Sequence, residues 1–218
     1  MPQEENVDQT FTEQRISDFL DALASGEPVP GGGSGAALGG ALAAALVSMV
    51  CNLTIGKKGY EETEETMSEI LERSEALRAE LTDLLEADTE AYSRVMAAYR
   101  MPRQSAEEKA ARQKALQKAL REATEVPLAI ADDCARIVDL ALPAAQKGNR
   151  WAVSDAGVGA LLAEASMRAS LLNVYINLGS IDDEEYRKKI RAKVRTVIEN
   201  KAERKDEVMG IVHQKIGG

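Results

Sequence analysis

The sequence predicts an all-α protein: a single-domain antiparallel helical bundle around a buried Ala/Gly-rich central helix. Three observations carry that expectation. Aromatic residues make up 4% of the 218-residue chain while Ala, Leu, Glu, Lys and Arg abound, a composition that favours helix and leaves few strand candidates. Apolar residues recur at helical spacing over long stretches. Residues 29–56 hold no charged side chain, although 29% of the chain is charged, so one helix is built to be surrounded by protein.

Taken in order, residues 1–10 are polar and are expected to form a flexible tail, with one helical domain over residues 11–218. A short helix should begin near Thr12, carry Ile16, Phe19, Leu20 and Leu23 on one face, and stop at Ser25-Gly26-Glu27-Pro28. The central helix is expected over about residues 34–55, with Ser34 as its cap and three glycines before it to free the turn. Met67, Ile70, Leu71, Leu77, Leu81, Leu84, Leu85, Tyr92, Val95, Met96 and Tyr99 then mark one face of a long helix over residues 61–100, ended by Pro102. Ser105 and Glu108 form a capping box that starts the next helix, which should run to Gly148 with a kink at Pro127. Ser154-Asp155 restarts a small-residue helix to Leu178, and a charged amphipathic helix over about 182–214 ends the chain.

Charge and composition exclude several functions. A net charge of −9 lacks the basic face that a nucleic-acid binder needs to displace counterions. The only histidine, His213, lies among charged residues in the last turn, which removes histidine-dependent triads and histidine-rich metal sites. Cys51 and Cys134 are far apart, with no Cys-x-x-Cys pair, and read as buried thiols of a reducing compartment. The acidic Met1-Pro2-Gln3-Glu4-Glu5 start does not resemble a secretory leader, so a cytoplasmic location is expected. The uncharged run is long enough for a membrane span, but Ala and Gly dominate it and everything after it is amphipathic. A protein-packed helix and no membrane are expected.

Asp88 is the sharpest anomaly, because it falls on the apolar face of the long helix in step with Leu84, Leu85, Tyr92 and Val95. A carboxylate there is either held in a buried ion pair or as a helix-cap partner, or is used as a catalytic or binding acid. Asp155 is either a helix cap or a functional acid. Asn173 and Asn177, four apart on an apolar helix, either bridge helices or read a polar ring. Gly31-Gly32-Gly33-Ser34 feeds a helix N-terminus suited to an anion or carbonyl, without the Gly-Lys-Ser/Thr of a nucleotide loop. Lys57, Lys58 and Arg103 lie at helix ends, either as solvated surface or as receivers of an acidic tail.

Together these pieces resemble the cyclodeaminase/methenyltetrahydrofolate cyclohydrolase family. The matching segments are Pro30 to Ser34, Ser48 to Lys58 including Asn52, Asp88 to Tyr92, Met101-Pro102-Arg103, Lys147-Gly148-Asn149, Ser154 to Val158, and Asn173 to Asn177. Gly59 and Arg103 depart from the lysines that the family pattern leads one to expect. The resemblance implies an enzyme of folate one-carbon metabolism, closest in wording to the stand-alone cyclohydrolases. The formiminotetrahydrofolate cyclodeaminase and a non-catalytic folate-binding bundle are the alternatives. It implies a homodimer, a folate substrate and neither a metal nor another cofactor. It also implies Asp88 and Asp155 as the acids, and Gly31, Gly32, Gly33, Ser34, Asn52, Lys57, Lys58, Arg103, Asn173 and Asn177 as substrate contacts.

Overall fold

A computed structural model of the chain describes residues 10–217, so the tail expected over residues 1–10 lies, but for Thr10, outside the described residues. Among these the chain forms α1 (Ile16–Leu23), α2 (Gly32–Asn52), α3 (Glu64–Arg100), α4 (Ala106–Lys147), α5 (Val153–Gly179), α6 (Glu184–Ile198) and α7 (Lys201–Gly217). No strand occurs among the described residues, as the composition predicts.

The first four long helices run antiparallel to their neighbours, and small residues set how closely they approach. The hydroxyls of Ser48 and Ser74 meet at 2.8 Å, while Ser34 near the other end of α2 reaches Leu85 of α3. A Cβ added to Gly40 would come within 2.7 Å of the Cys134 sulfur and 3.1 Å of Leu81, so α3 and α4 close on α2 only because that position is bare. On the opposite flank Gly159 of α5 sits against the Ala43 carbonyl, with Ala43, Ala44, Ala160 and Ala163 fully buried between the two helices. α7 crosses α4 and α5 near the start of α5. Both cysteines are free and buried, and burial pushes the Cys51 thiol up to about 12.

α2 is the one described helix long and apolar enough to cross a membrane. Its Gly and Ala faces are nevertheless filled by α3, α4 and α5. Leu42 and Met49 are the exception, each about half exposed to solvent.

Several sequence expectations shift. α2 begins at Gly32 with Gly31 as its N-cap, so Ser34 lies inside the first turn and does not cap it. α2 ends at Asn52, where the Thr54 hydroxyl donates to the Val50 carbonyl at 2.6 Å and turns the chain away. α1 starts at Ile16 and buries Phe19, leaving Ile16 and Leu20 exposed. The last helix is two: Asn200, with φ of 59°, takes the left-handed conformation that Asn tolerates and separates α6 from α7. The Ser105–Glu108 capping box forms as expected, with the Glu108 N–H donating to the Ser105 hydroxyl at 3.1 Å. α4 runs to Lys147 as expected, continuing through Pro127 and Pro143.

Asp133, buried on α4, is held near Arg136 at 2.9 Å but also near Glu80, and burial raises its pKa to about 6. The free side chain titrates lower, so the folded chain keeps a proton that the unfolded chain gives up, and stability is lost as pH climbs through this window. Asp133→Asn should therefore raise stability at pH 8 by about 1–2 kcal/mol and by nothing measurable at pH 4, read by thermal melts at both pH values.

Candidate active site

The glycine loop and α2 create the seat for Asp88. The first turn of any helix leaves backbone N–H groups without intrahelical partners, and α2 has no side-chain cap to take them. Asp88, projecting from α3, approaches this turn. The Ser34 N–H and the Ser34 hydroxyl both donate to its carboxylate, the hydroxyl at 3.3 Å, while the same hydroxyl lies 3.2 Å from the Leu85 carbonyl. Gly33 makes the approach possible, because a Cβ there would overlap the carboxylate.

Two opposing effects act on Asp88. Burial raises its pKa and is the larger, while the Ser34 contacts pull it down. Among the described residues no Lys or Arg is ion-paired with it, so the charge is balanced by the helix terminus alone. This removes the buried-ion-pair reading left open by the sequence, while the Ser34 contacts show Asp88 as the cap partner of α2.

Beside Asp88 opens a cavity of about 350 Å³. Gly31, Gly32 and Gly33 form one wall, Tyr92, Val95, Met96 and Tyr99 of α3 another, and Asn173, Ile176 and Asn177 of α5 a third. That volume suits a small heterocyclic ligand, with a mainly apolar lining and a few convergent polar groups. A hollow of about 440 Å³ between α4 and α6 is larger, but Lys193 and Glu125 are paired across it at 3.6 Å.

The two asparagines differ. Pro127 has no N–H, which leaves the Ala123 carbonyl one turn earlier without its helical donor. The Asn177 amide donates to that carbonyl at 2.7 Å, so it both bridges α4 to α5 and lines the cavity. The Asn173 amide nitrogen lies beside Gly32 and has no hydrogen-bond partner among the described residues.

The remaining candidates lie elsewhere in the same chain. Asn52 ends α2, twenty residues or about 30 Å along the helix from Gly32. Asp155 is at the start of α5, about 27 Å from Asn173. Lys57 and Lys58 are exposed beyond the end of α2, and Arg103 is exposed in the connection from α3 to α4, off the cavity lining. The far end is itself ordered. Asn149 donates from its backbone to Thr54 at 2.8 Å and from its side chain to the Leu53 carbonyl at 2.8 Å, and the Tyr60 hydroxyl accepts from the Arg150 N–H at 3.0 Å.

Tyr92, Met96 and Tyr99 line the cavity, although their helical spacing with Leu85 predicts only core. The signal was Asp88 itself, since residues four, eight and eleven positions onward share its face. Arg112 was not foreseen. Its guanidinium stacks 5.6 Å from the Tyr99 ring and donates to the Tyr99 carbonyl at 3.2 Å, at the rim of the cavity.

Residues 15–196 match the formiminotransferase-cyclodeaminase family. Over 173 residues the chain is 51% identical to the methenyltetrahydrofolate cyclohydrolase of Methylorubrum extorquens, covering 79% of this chain and 83% of that one. It is 31% identical to the formimidoyltransferase-cyclodeaminase of Rattus norvegicus over 88% of this chain, spanning 36% of that longer protein. The crystal structure of formiminotetrahydrofolate cyclodeaminase from Thermotoga maritima superposes with a TM-score of 0.84 at 33% identity, covering 94% of this chain and 98% of that one.

Two consequences are measurable. Gly33→Ala should push the Asp88 carboxylate out of its seat, lowering its pKa toward the ordinary carboxylate range in a carboxyl NMR titration, at about 1–3 kcal/mol of stability. Asn177→Ala should cost about 1–3 kcal/mol in denaturant unfolding, because the Ala123 carbonyl is left buried without a donor.

Proposed function

The chain belongs to the formiminotransferase-cyclodeaminase family, and from that premise we propose that it hydrolyses 5,10-methenyltetrahydrofolate to 10-formyltetrahydrofolate in one-carbon metabolism. The observation that carries this reading is the Asp88 carboxylate, held without a cationic partner on the wall of a cavity open to a cationic ligand. The 51% identity to a methenyltetrahydrofolate cyclohydrolase supports the same direction.

The methenyl substrate is an amidinium cation, so the carboxylate stabilises it electrostatically inside the cavity. As water oxygen bonds to the methenyl carbon, Asp88 takes one of its protons. The tetrahedral carbon then carries a hydroxyl, N5 and N10. When the C–N5 bond breaks, Asp88 returns its proton to N5, the hydroxyl proton leaves to solvent, and the carbonyl of the formyl group forms. One proton is released overall. Water addition to an activated amidinium needs only proton transfer and charge stabilisation, so the proposal invokes no metal or second cofactor. Asn173 and Asn177 supply amides to the pterin edge, and the Gly31-Gly32-Gly33 backbone lines the opening. Two buried, free cysteines suit the cytoplasmic location that forms part of the same proposal, as does a homodimer.

A second reading has its own support, since the Thermotoga relative of matching fold is a formiminotetrahydrofolate cyclodeaminase. In that reaction N10 attacks the formimino carbon and ammonia departs, again with one group accepting and returning a proton. Loss of methenyltetrahydrofolate absorbance and release of ammonia from formiminotetrahydrofolate, measured side by side, separate the two.

Asp88→Asn should lower cyclohydrolase turnover by about 10²–10⁴-fold with the fold intact by circular dichroism; an unchanged rate removes Asp88 from the chemistry. Because burial raises the Asp88 pKa, kcat/KM in the wild type should fall with acidification at a pH above the ordinary carboxylate range, and Asp88→Asn should abolish that limb.

A further inference from the structure

The Asp88 cavity continues along α3. A second hollow of about 160 Å³ adjoins it, and Pro28, Val29, Tyr92 and Met96 line both. Ser93 and Arg100 line the second hollow and not the first. Tyr92, Met96 and Arg100 follow one another at intervals of four, so they form one ridge of α3 that starts a turn after Asp88 and winds slowly away from it. The Pro28–Val29 segment makes the facing wall. A ligand seated against Asp88 is thereby offered a lined path over Tyr92 and Met96 to Arg100.

Arg100 is exposed and uncommitted. Arg78 and Arg94 of the same helix are ion-paired within the chain, and Arg112 at the cavity rim is taken up by the Tyr99 ring and carbonyl. No carboxylate lies within ion-pair distance of Arg100 among the described residues. That is notable in a chain where Asp and Glu outnumber Lys and Arg by 36 to 27. A guanidinium presents parallel N–H donors in a fixed fork, and the group that matches it is a carboxylate.

We infer that the second hollow is the subsite for the acidic tail of the substrate, with Arg100 holding a glutamate carboxylate and the aminobenzoyl ring lying between Tyr92 and Met96 on one side and Pro28–Val29 on the other. The inference rests on the proposed reading of the larger cavity as the folate site. Arg100 lies twelve residues from Asp88, about 18 Å along the helix axis, and a helical side chain leans back toward the N-terminus. The gap that remains suits an aminobenzoyl-glutamate arm whose pterin end sits against the acid. A tyrosine ring and a thioether are favourable neighbours for the aryl group. The tail is thus received at the same end of the bundle as the chemistry, whereas Lys57 and Lys58 lie beyond the far end of α2.

The test compares wild type, R100A, R100K and R103A on two substrates: methenyltetrahydrofolate, and the methenyl derivative of tetrahydropteroyl methylamide, in which an uncharged methyl group replaces the glutamate. R100A should raise KM for methenyltetrahydrofolate about 5–20-fold with kcat unchanged, and R100K should recover part of the loss. Neither variant should alter KM for the methylamide. R103A removes the same charge three residues further on, off the lining of both hollows, and should leave both KM values as they are. An unchanged KM in R100A, an equal rise on both substrates, or an equal rise in R103A overturns the inference. If the wild type hydrolyses neither compound, the proposed reaction falls and the subsite is decided by calorimetric binding of tetrahydrofolate and of tetrahydropteroyl methylamide. A preference for tetrahydrofolate that R100A removes upholds the subsite; binding without that preference, or no binding, overturns it.

Discussion

The site depends on one placement: a carboxylate from α3 set against the unsatisfied first turn of α2. Everything around it serves that approach. Gly33 clears the space, Gly31 starts the helix without a side-chain cap, and Ser34 donates twice to the acid. The helix terminus stabilises the charge while leaving its outer side free, which an arginine partner would not. The outcome is an acid whose pKa is raised, yet which is not so isolated that ionisation is prohibitive.

Holding α2 in register is the task of the bare positions along it. Gly40 against Cys134 and Leu81, and Gly159 against Ala43, let backbones approach so that the cavity walls from α3 and α5 converge on one end. Several hydroxyls inside the bundle are satisfied locally. Ser48 meets Ser74, and the Ser170 hydroxyl donates to the Pro127 carbonyl at 2.7 Å.

The helical class, the long α3 and the Ser105–Glu108 start were legible because periodicity and capping are local properties. Asp88 was legible as a polar residue on an apolar face, whereas Tyr92, Met96 and Tyr99 on the same face read only as core. What could not be read was which residues share an end of the bundle. Asn52 and Asp155 lie in motifs as distinctive as that of Asp88, yet helix length carries them to the far end. The role of Ser34 was misplaced because the glycines before it can themselves be helical, and helix boundaries are the least local of sequence signals. The break at Asn200 turned on a single left-handed residue inside a charged periodic run.

Pro127 has a consequence that reaches the cavity. By stripping α4 of one donor it recruits the nitrogen of the Asn177 amide, and that engagement forbids the side chain from flipping. Its oxygen and its second N–H are left available to the hollow. A bound ring therefore meets an acceptor and a donor whose positions on Asn177 are set, so a gap in one helix fixes the orientation of a recognising amide on another.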